Sequence, residues 1–455
     1  MPDEPIHRTW LHSDRFLPSR FIRPVQRFLQ VEAAGGIALL VMAVAALAWA
    51  NAPFGESYET FWTNVFRVEL GPLHLELTLR ELANDGLMVL FFFVVGLEIK
   101  REMVHGDLRD RRTATLPVLA AAGGMAVPAL IYLAFNAGGP GGHGWAVPVA
   151  TDIAFSVGVL SLLGRRVPLG ARIFLLTLAV ADDIGGIAVI AFFYSEGIDL
   201  VWLGGAAAGL AVMWAANRAG VRALGFYGLV ALGSWLCLLQ SGVHAALAGV
   251  AFAALTPARA FYSDEEYRQR ARLVLGGYER EARAVHGEER LDESALTLAA
   301  VARESVPPLE RLERTLLPWS SFVVAPIFAL ANSGVRFAGI DAAGAVTHPV
   351  TLGVAVGLLA GKLVGVSSFT WLAVRLGWGH LPAGAGWRHV IGLSAVAGIG
   401  FTVALFVAAI AFDDPALGDQ AKLGIFAGSL AAGLLGYTVL RLIPPGAGTD
   451  TAEDA

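Results

Sequence analysis

The chain has 455 residues, of which 56% are hydrophobic and only 16% charged, and its formal net charge is −5. Soluble globular chains carry about 25% charged residues, so this composition and the mean hydropathy of +0.61 exclude an ordinary soluble enzyme. The net charge gives no footing for nucleic acid, and the single cysteine, Cys237, excludes an intramolecular disulfide.

Apolar stretches of roughly 18 residues or more recur along nearly the whole chain, each long enough as a helix to cross a hydrocarbon core about 30 Å thick. The expected fold is therefore an all-α polytopic membrane protein and not a barrel. Residues 1–32 contain Arg8, Arg15, Arg20, Arg23 and Arg27 and lack a small-residue cleavage site after a short apolar core. They read as a retained cytoplasmic segment, not a signal peptide. With Gly, Pro and charge clusters as punctuation, spans fall near 33–51, 82–102, 114–136, 146–163, 170–194, 199–216, 222–239, 242–257, 318–335, 349–375, 387–411 and 418–441, twelve in all. Spans 1–8 occupy 33–257 and spans 9–12 occupy 318–442, with a tail at 443–455.

Two segments interrupt this pattern. Phe66-Arg67-Val68-Glu69-Leu70 and His74-Leu75-Glu76-Leu77-Thr78 alternate with period two around Gly71-Pro72-Leu73, which predicts an external β-hairpin near 65–79. Its free edge offers a pairing surface for a second copy of the chain. Residues 258–317 are dense in Arg and Glu and too poor in apolar surface for a core, so they read as a partly helical cytoplasmic linker.

The connecting loops alternate between two classes. One carries Lys100, Arg101, Arg109, Arg111, Arg112, Arg165, Arg166, Arg218, Arg222, Arg375, Arg388 and Arg441; the other, "NAGGPGGHG", "SEGID" and "QSG", carries no Lys or Arg. The positive-inside rule then places both termini in the cytoplasm, in agreement with an even span count.

Four ionisable residues stand inside the apolar runs. An ionised side chain at the bilayer centre costs about 2.5–3.5 kcal/mol on insertion scales, so each is a functional candidate. Asp182 and Asp183 of "TLAVADDIGG" lie about 18 Å into the fifth span, near mid-depth. Asp152 in the fourth span and Lys362 in the tenth sit at similar depth. The plain alternative for one buried Asp is a hydrogen-bonded strut, but three acids and a base together point to one shared polar site. Neighbours on a helix point about 100° apart, so Asp182 and Asp183 divide the work: one pairs with an ammonium while the other faces a cavity.

Backbone irregularities fall in matching places. Pro148 precedes Asp152 in the fourth span, and Gly398 and Gly400 interrupt the eleventh. Spans 3–5 and 10–12 are offset by an odd number of crossings, which makes the two triplets inverted repeats. Discontinuous helices meeting at the midplane of inverted repeats are the pattern of secondary transporters, whose half-helix ends bind ions. Carboxylates with hydroxyls or carbonyls suit a small hard cation, Na+ or Li+, and the same oxygens take protons when the cation leaves. Competition of the two for one site is exchange. No cofactor is expected.

The motifs "FFFVVGLEIKRE" (91–102), "ATDIAFSVGVLSLLGRRVP" (150–168), "LAVADDIGGIAVIAFFYS" (178–195), "SGVHAALAGV" (241–250), "LLAGKLVGVS" (358–367) and "GIGFTVALF" (398–406) resemble, in this order, the NhaA-type sodium/proton antiporters of bacterial inner membranes. The resemblance runs from about Val31 to Leu442. It implies that Asp183 is the core cation and proton carrier and that Asp182 pairs with Lys362 and parts from it during the cycle. It also implies that Thr151 and Asp152, at the first helix break, help bind the cation and offset helix-end dipoles. Exchange would be electrogenic, two protons entering per sodium leaving, and active at alkaline pH, in homodimers joined through the external hairpin. Glu98, Glu313 and His244 match positions linked to pH response; their bland readings are solvated face charges and a capping or packing histidine.

The chain departs from the family pattern at Arg314 and Leu317, where histidines are common, at Leu363, where proline is expected, and in its long linker. These changes bear on the pH threshold and leave the carboxylates untouched. Three rival functions fit these residues less well. An intramembrane aspartyl protease leaves Lys362 and the broken helices unexplained. A carrier of organic anions would face repulsion from three buried acids. A cation channel lacks a ring of acids or carbonyls.

Overall fold

The computed structural model describes residues 34–70, 73–195, 197–281, 288–337 and 342–444. The expected N-terminal cytoplasmic segment and nearly all of the tail lie outside them. In chain order the elements are α1 (Ala34–Ala50), α2 (Glu56–Trp62), β1 (Val65–Leu70) and β2 (Leu73–Thr78), then α3 (Leu79–His105) and α4 (Arg111–Asn136). A 3-10 segment (Gly142–Val149) precedes α5 (Ile153–Leu163), α6 (Leu169–Phe193), α7 (Leu200–Arg218), α8 (Leu224–Gln240) and α9 (Leu247–Leu255). Next come α10 (Asp264–Glu281), α11 (Glu288–Glu304), α12 (Pro308–Asn332) and α13 (Ala342–Thr347). The series ends with α14 (Pro349–Arg375), α15 (Trp387–Val396), α16 (Phe401–Ala411) and α17 (Pro415–Arg441).

Among the described residues, eight helices are long and apolar enough to cross a membrane, and α15 with α16, bent by 45° at their break, make a ninth. Helices α1, α8 and α9 are apolar but shorter. The chain is thus a multi-pass helical membrane protein, with nine crossings carried by length and composition where the sequence suggests twelve.

One compact unit comprises residues 1–88, 110–195 and 318–455. Here β1 and β2 form an antiparallel hairpin in which Arg67 faces Glu76, their side chains 2.9 Å apart. Thr78 closes the hairpin and opens α3 with a capping box, its hydroxyl accepting from the Glu81 N–H while the Glu81 carboxylate accepts from the Thr78 N–H. Helix α4 packs closely on α14 because glycines face each other: a Cβ at Gly365 would run into the Gly123 carbonyl, and a Cβ at Gly123 into that of Gly365. Small residues that let two backbones approach are the usual glue of membrane helices, where lipid removes any hydrophobic drive.

The second unit comprises residues 89–109 and 196–317. A core of Ala206, Met213, Leu238, Ala248 and Phe252 joins α7, α8 and α9. Lys100 donates to the carbonyls of Ala254 at 2.6 Å and Thr256 at 2.5 Å, serving orphan acceptors at the C-terminal end of α9. The segment expected as a linker contains the helices α10 and α11, and α12 already begins at Pro308, ten residues before the expected ninth span. The reason is amphipathicity: Leu309 and Glu313 are buried on one face although Arg and Glu fill the rest of the turn.

Candidate functional site

The site is built where two helices lose their regularity. The backbone is extended at Ala150 and Asp152, between the 3-10 segment and α5, and α15 gives way to α16 across 397–400. The two breaks touch: the Asp152 N–H donates to the Ile399 carbonyl at 2.6 Å. Such proximity requires glycine, since a Cβ at Gly400 would lie 2.9 Å from the Ala150 carbonyl oxygen. Pro148 lies inside the 3-10 segment, two residues ahead of the break it was expected to mark.

Breaking a helix creates new ends whose N–H groups have no partner in the chain that follows. Asp152 serves two such ends. One carboxylate oxygen accepts from the Phe155 N–H at 3.2 Å, capping α5; the other accepts from the Thr402 N–H at 3.0 Å and from the Thr402 hydroxyl. A single buried carboxylate therefore stands at the positive ends of α5 and α16, where negative charge is favoured.

Asp182, on the neighbouring α6, is fully buried and forms an ion pair with Lys362, whose side chain has no exposure at all. The same oxygen of Asp182 lies 2.6 Å from the Thr151 hydroxyl, which is also 2.8 Å from the Ala397 carbonyl. The other oxygen, Oδ1, is buried and has no hydrogen-bond partner. Asp183, one residue on, is half-buried, so the two adjacent carboxylates occupy different environments. Among the described residues no three His, Cys, Asp or Glu side chains converge as a resident metal site. A transported cation would instead draw on carboxylate, hydroxyl and carbonyl oxygens.

The Na+/H+ antiporter 1 family model matches residues 26–440. The chain belongs to this family. A Na(+)/H(+) antiporter NhaA of Anaeromyxobacter sp. (strain Fw109-5) is 50% identical over 431 residues, which cover 93% of this chain and 92% of that protein. A Na(+)/H(+) antiporter NhaA of Syntrophobacter fumaroxidans is 45% identical, covering 92% and 90%, and a Na(+)/H(+) antiporter NhaA 2 of Sorangium cellulosum is 44% identical, covering 98% and 96%.

In this antiporter-family chain the remaining candidates belong to the second unit. Glu313 is buried, with 7% exposure, and is ion-paired with Arg101; it is not a solvated face charge. Arg101 also lies 3.6 Å from Glu102. Glu98 is half-buried on the same helix as Arg101, and His244 is half-buried in the turn before α9. His244 offers its backbone carbonyl to the Leu247 N–H at 3.1 Å.

Sequence reasoning missed three partners. Thr402 lies inside the 397–402 interruption, but its hydroxyl stands in the first turn of α16 and donates to Asp152, a role that no local pattern marks because the N-cap is Gly400. The carbonyls of Ala397 and Ile399 carry no sequence signal, since any residue supplies a carbonyl.

Proposed function

We propose that the protein is a secondary antiporter that exports Na+ or Li+ in exchange for entering protons, electrogenically and by alternating access. The observation that carries the reading is the buried Asp182, which shares one oxygen between an ammonium and a hydroxyl and leaves the other bare, beside the more accessible Asp183.

The chemistry is competition. With no cation present, the Lys362 ammonium balances the charge of Asp182, and Asp183 takes a proton. A cation that reaches Asp183, Thr151 and the bare oxygen of Asp182 displaces the proton of Asp183 and draws Asp182 away from Lys362, whose ammonium, losing its partner, gives up the second proton. Asp152 remains at the two helix ends, so the crossed backbones keep their geometry while the load changes. Protonation on the other side reverses the sequence, and two protons return for each sodium. The bare oxygen on Asp182 favours a cation as cargo over an organic anion, which would meet three carboxylates.

The proposed topology places twelve spans in the bacterial inner membrane, both termini and the 258–317 segment in the cytoplasm, with α4 to α6 and α14 to α17 as inverted repeats. The hairpin lies outside and pairs two chains as a homodimer. Glu98, Glu313 and His244 adjust the response to pH.

The test is collapse of a pre-formed pH gradient in proteoliposomes on adding Na+, Li+ or K+, from mildly acidic to alkaline pH. Wild type should respond to Na+ and Li+ increasingly as pH rises, and Asp183→Asn should not respond although it folds. A folded Asp183→Asn protein exchanging at the wild-type rate would sink the assignment.

A further inference from the structure

In the first unit an apolar groove of about 480 Å³ is lined by Leu40 and Val44 of α1, Val159 and Leu162 of α5, and Leu430 and Leu434 of α17. Its inner end is the helix break itself, with Ile399 and Phe401 in the wall, and its outer end is Tyr437. Leu40, Val44, Leu162, Leu430 and Leu434 remain 49% to 73% exposed. In a soluble protein such a surface would be an aggregation hazard; on a membrane helix it meets lipid.

We infer that this groove is a binding site for one anionic phospholipid, its acyl chain lying along α17 and its phosphate held by Arg441 and Arg166. Two independent features commit the site to that occupant. The first is depth. From Phe426, opposite the break, to Tyr437 the groove follows α17 for about 16 Å, half of a hydrocarbon core about 30 Å thick, which is the reach of one leaflet's acyl chain.

The second is charge at the leaflet surface. Arg441 lies one turn beyond Tyr437, its guanidinium 5.8 Å from the ring centroid and 3.4 Å from the phenol oxygen. Arg166 donates to the Arg441 backbone carbonyl at 2.7 Å, which brings its guanidinium to the same turn of α17, just beyond the Tyr437 end of the groove. Both residues are exposed, and among the described residues neither guanidinium has a carboxylate partner. Two guanidiniums and a tyrosine hydroxyl over an apolar slot match a phosphate over an acyl chain.

The inner end gives the lipid something to act on. Ile399, in the wall, accepts the Asp152 N–H, and Ser429, also in the wall, accepts the Gly400 N–H at 3.3 Å. An acyl chain seated there packs against the backbone that holds the two breaks together, whichever ion is exchanged.

The experiment titrates purified, delipidated full-length protein in detergent with phosphatidylglycerol, phosphatidylcholine or the soluble headgroup glycerophosphoglycerol. Bound lipid is counted by native mass spectrometry and stability is read as the melting temperature. Wild type should retain one phosphatidylglycerol per chain, bind phosphatidylcholine more weakly, and ignore the free headgroup. Val44→Trp fills the slot from a lipid-facing position and should abolish retention of either lipid; Leu434→Trp does the same from the opposite wall if the first variant folds poorly. Arg166→Gln with Arg441→Gln should weaken phosphatidylglycerol about 10- to 30-fold and leave phosphatidylcholine unchanged, as expected for two interfacial guanidiniums. Equal affinity for the two lipids, a stability shift from the headgroup alone, or wild-type retention by both folded Trp variants would overturn the proposal. So would loss of dimers in those variants with lipid binding intact, which would make the groove a contact between two copies.

Discussion

Asp182 can stay ionised in a dry interior only while Lys362 stays beside it, because each charge removed from water must be repaid by its partner. Lys362→Ala should therefore lower stability by about 3–5 kcal/mol, the usual penalty for stranding a buried charge. Thermal melting checks this, and the double variant Lys362→Ala with Asp182→Asn should recover most of the loss because it strands nothing. If the double variant melts no higher than the single, the two residues are not coupled as described. Thr151→Ala removes a hydroxyl that touches both Asp182 and the Ala397 carbonyl. It should raise the KM for Na+ several-fold in the exchange assay with a smaller change in maximal rate, since the loss falls on cation binding.

At the scale of elements, the crossed breaks depend on how Asp152 serves α5 and α16 together. Thr402→Val deletes one of its donors and keeps the shape; it should destabilise by about 1–3 kcal/mol, the cost of leaving a buried acceptor short of a partner. A Thr402→Ser variant, which keeps the hydroxyl, should melt within about 1 kcal/mol of wild type, and equal melting of the Val and Ser forms would remove the hydroxyl from the account. Gly365 stands against the Gly123 carbonyl, so Gly365→Leu should prevent α4 and α14 from closing and yield little folded protein, measured as the monodisperse fraction in detergent. The early start of α12 also belongs to this scale. Leu309 and Glu313 are interspersed with Glu310, Arg311 and Arg314, and sequence alone reads that mixture as a solvated connector until a partner surface covers one face.

For the whole molecule, the hairpin is the one place where the described chain offers an unpaired strand edge. Removing residues 65–78 should convert a dimer to a monomer on size exclusion in mild detergent while exchange persists, because the aspartate site lies in other segments of the chain. A shortened protein that remains dimeric would move the interface elsewhere. The two units divide the candidate residues in the same way: Asp152, Asp182, Asp183 and Lys362 fall in one, and Glu98, His244 and Glu313 in the other. Variants of the second set should shift the pH at which exchange begins more than its maximal rate.

Sequence by itself determined the membrane class, because apolar runs with so few charges have no stable state in water, and it singled out the four charged residues, because each is expensive in lipid. It also located the second helix break, since two glycines around Ile399 weaken a helix locally. The tertiary structure brings Asp182 to Lys362, the pairing the resemblance implied, and it alone decided that Asp152 caps two helices at once and that Thr402 and two backbone carbonyls join the site. Those facts depend on where separate helices cross, and a crossing is set by packing between residues up to 250 positions apart, which no local pattern records. The groove beside the break is of the same kind: its wall joins three apolar helices to the break itself, and no local pattern shows that they meet.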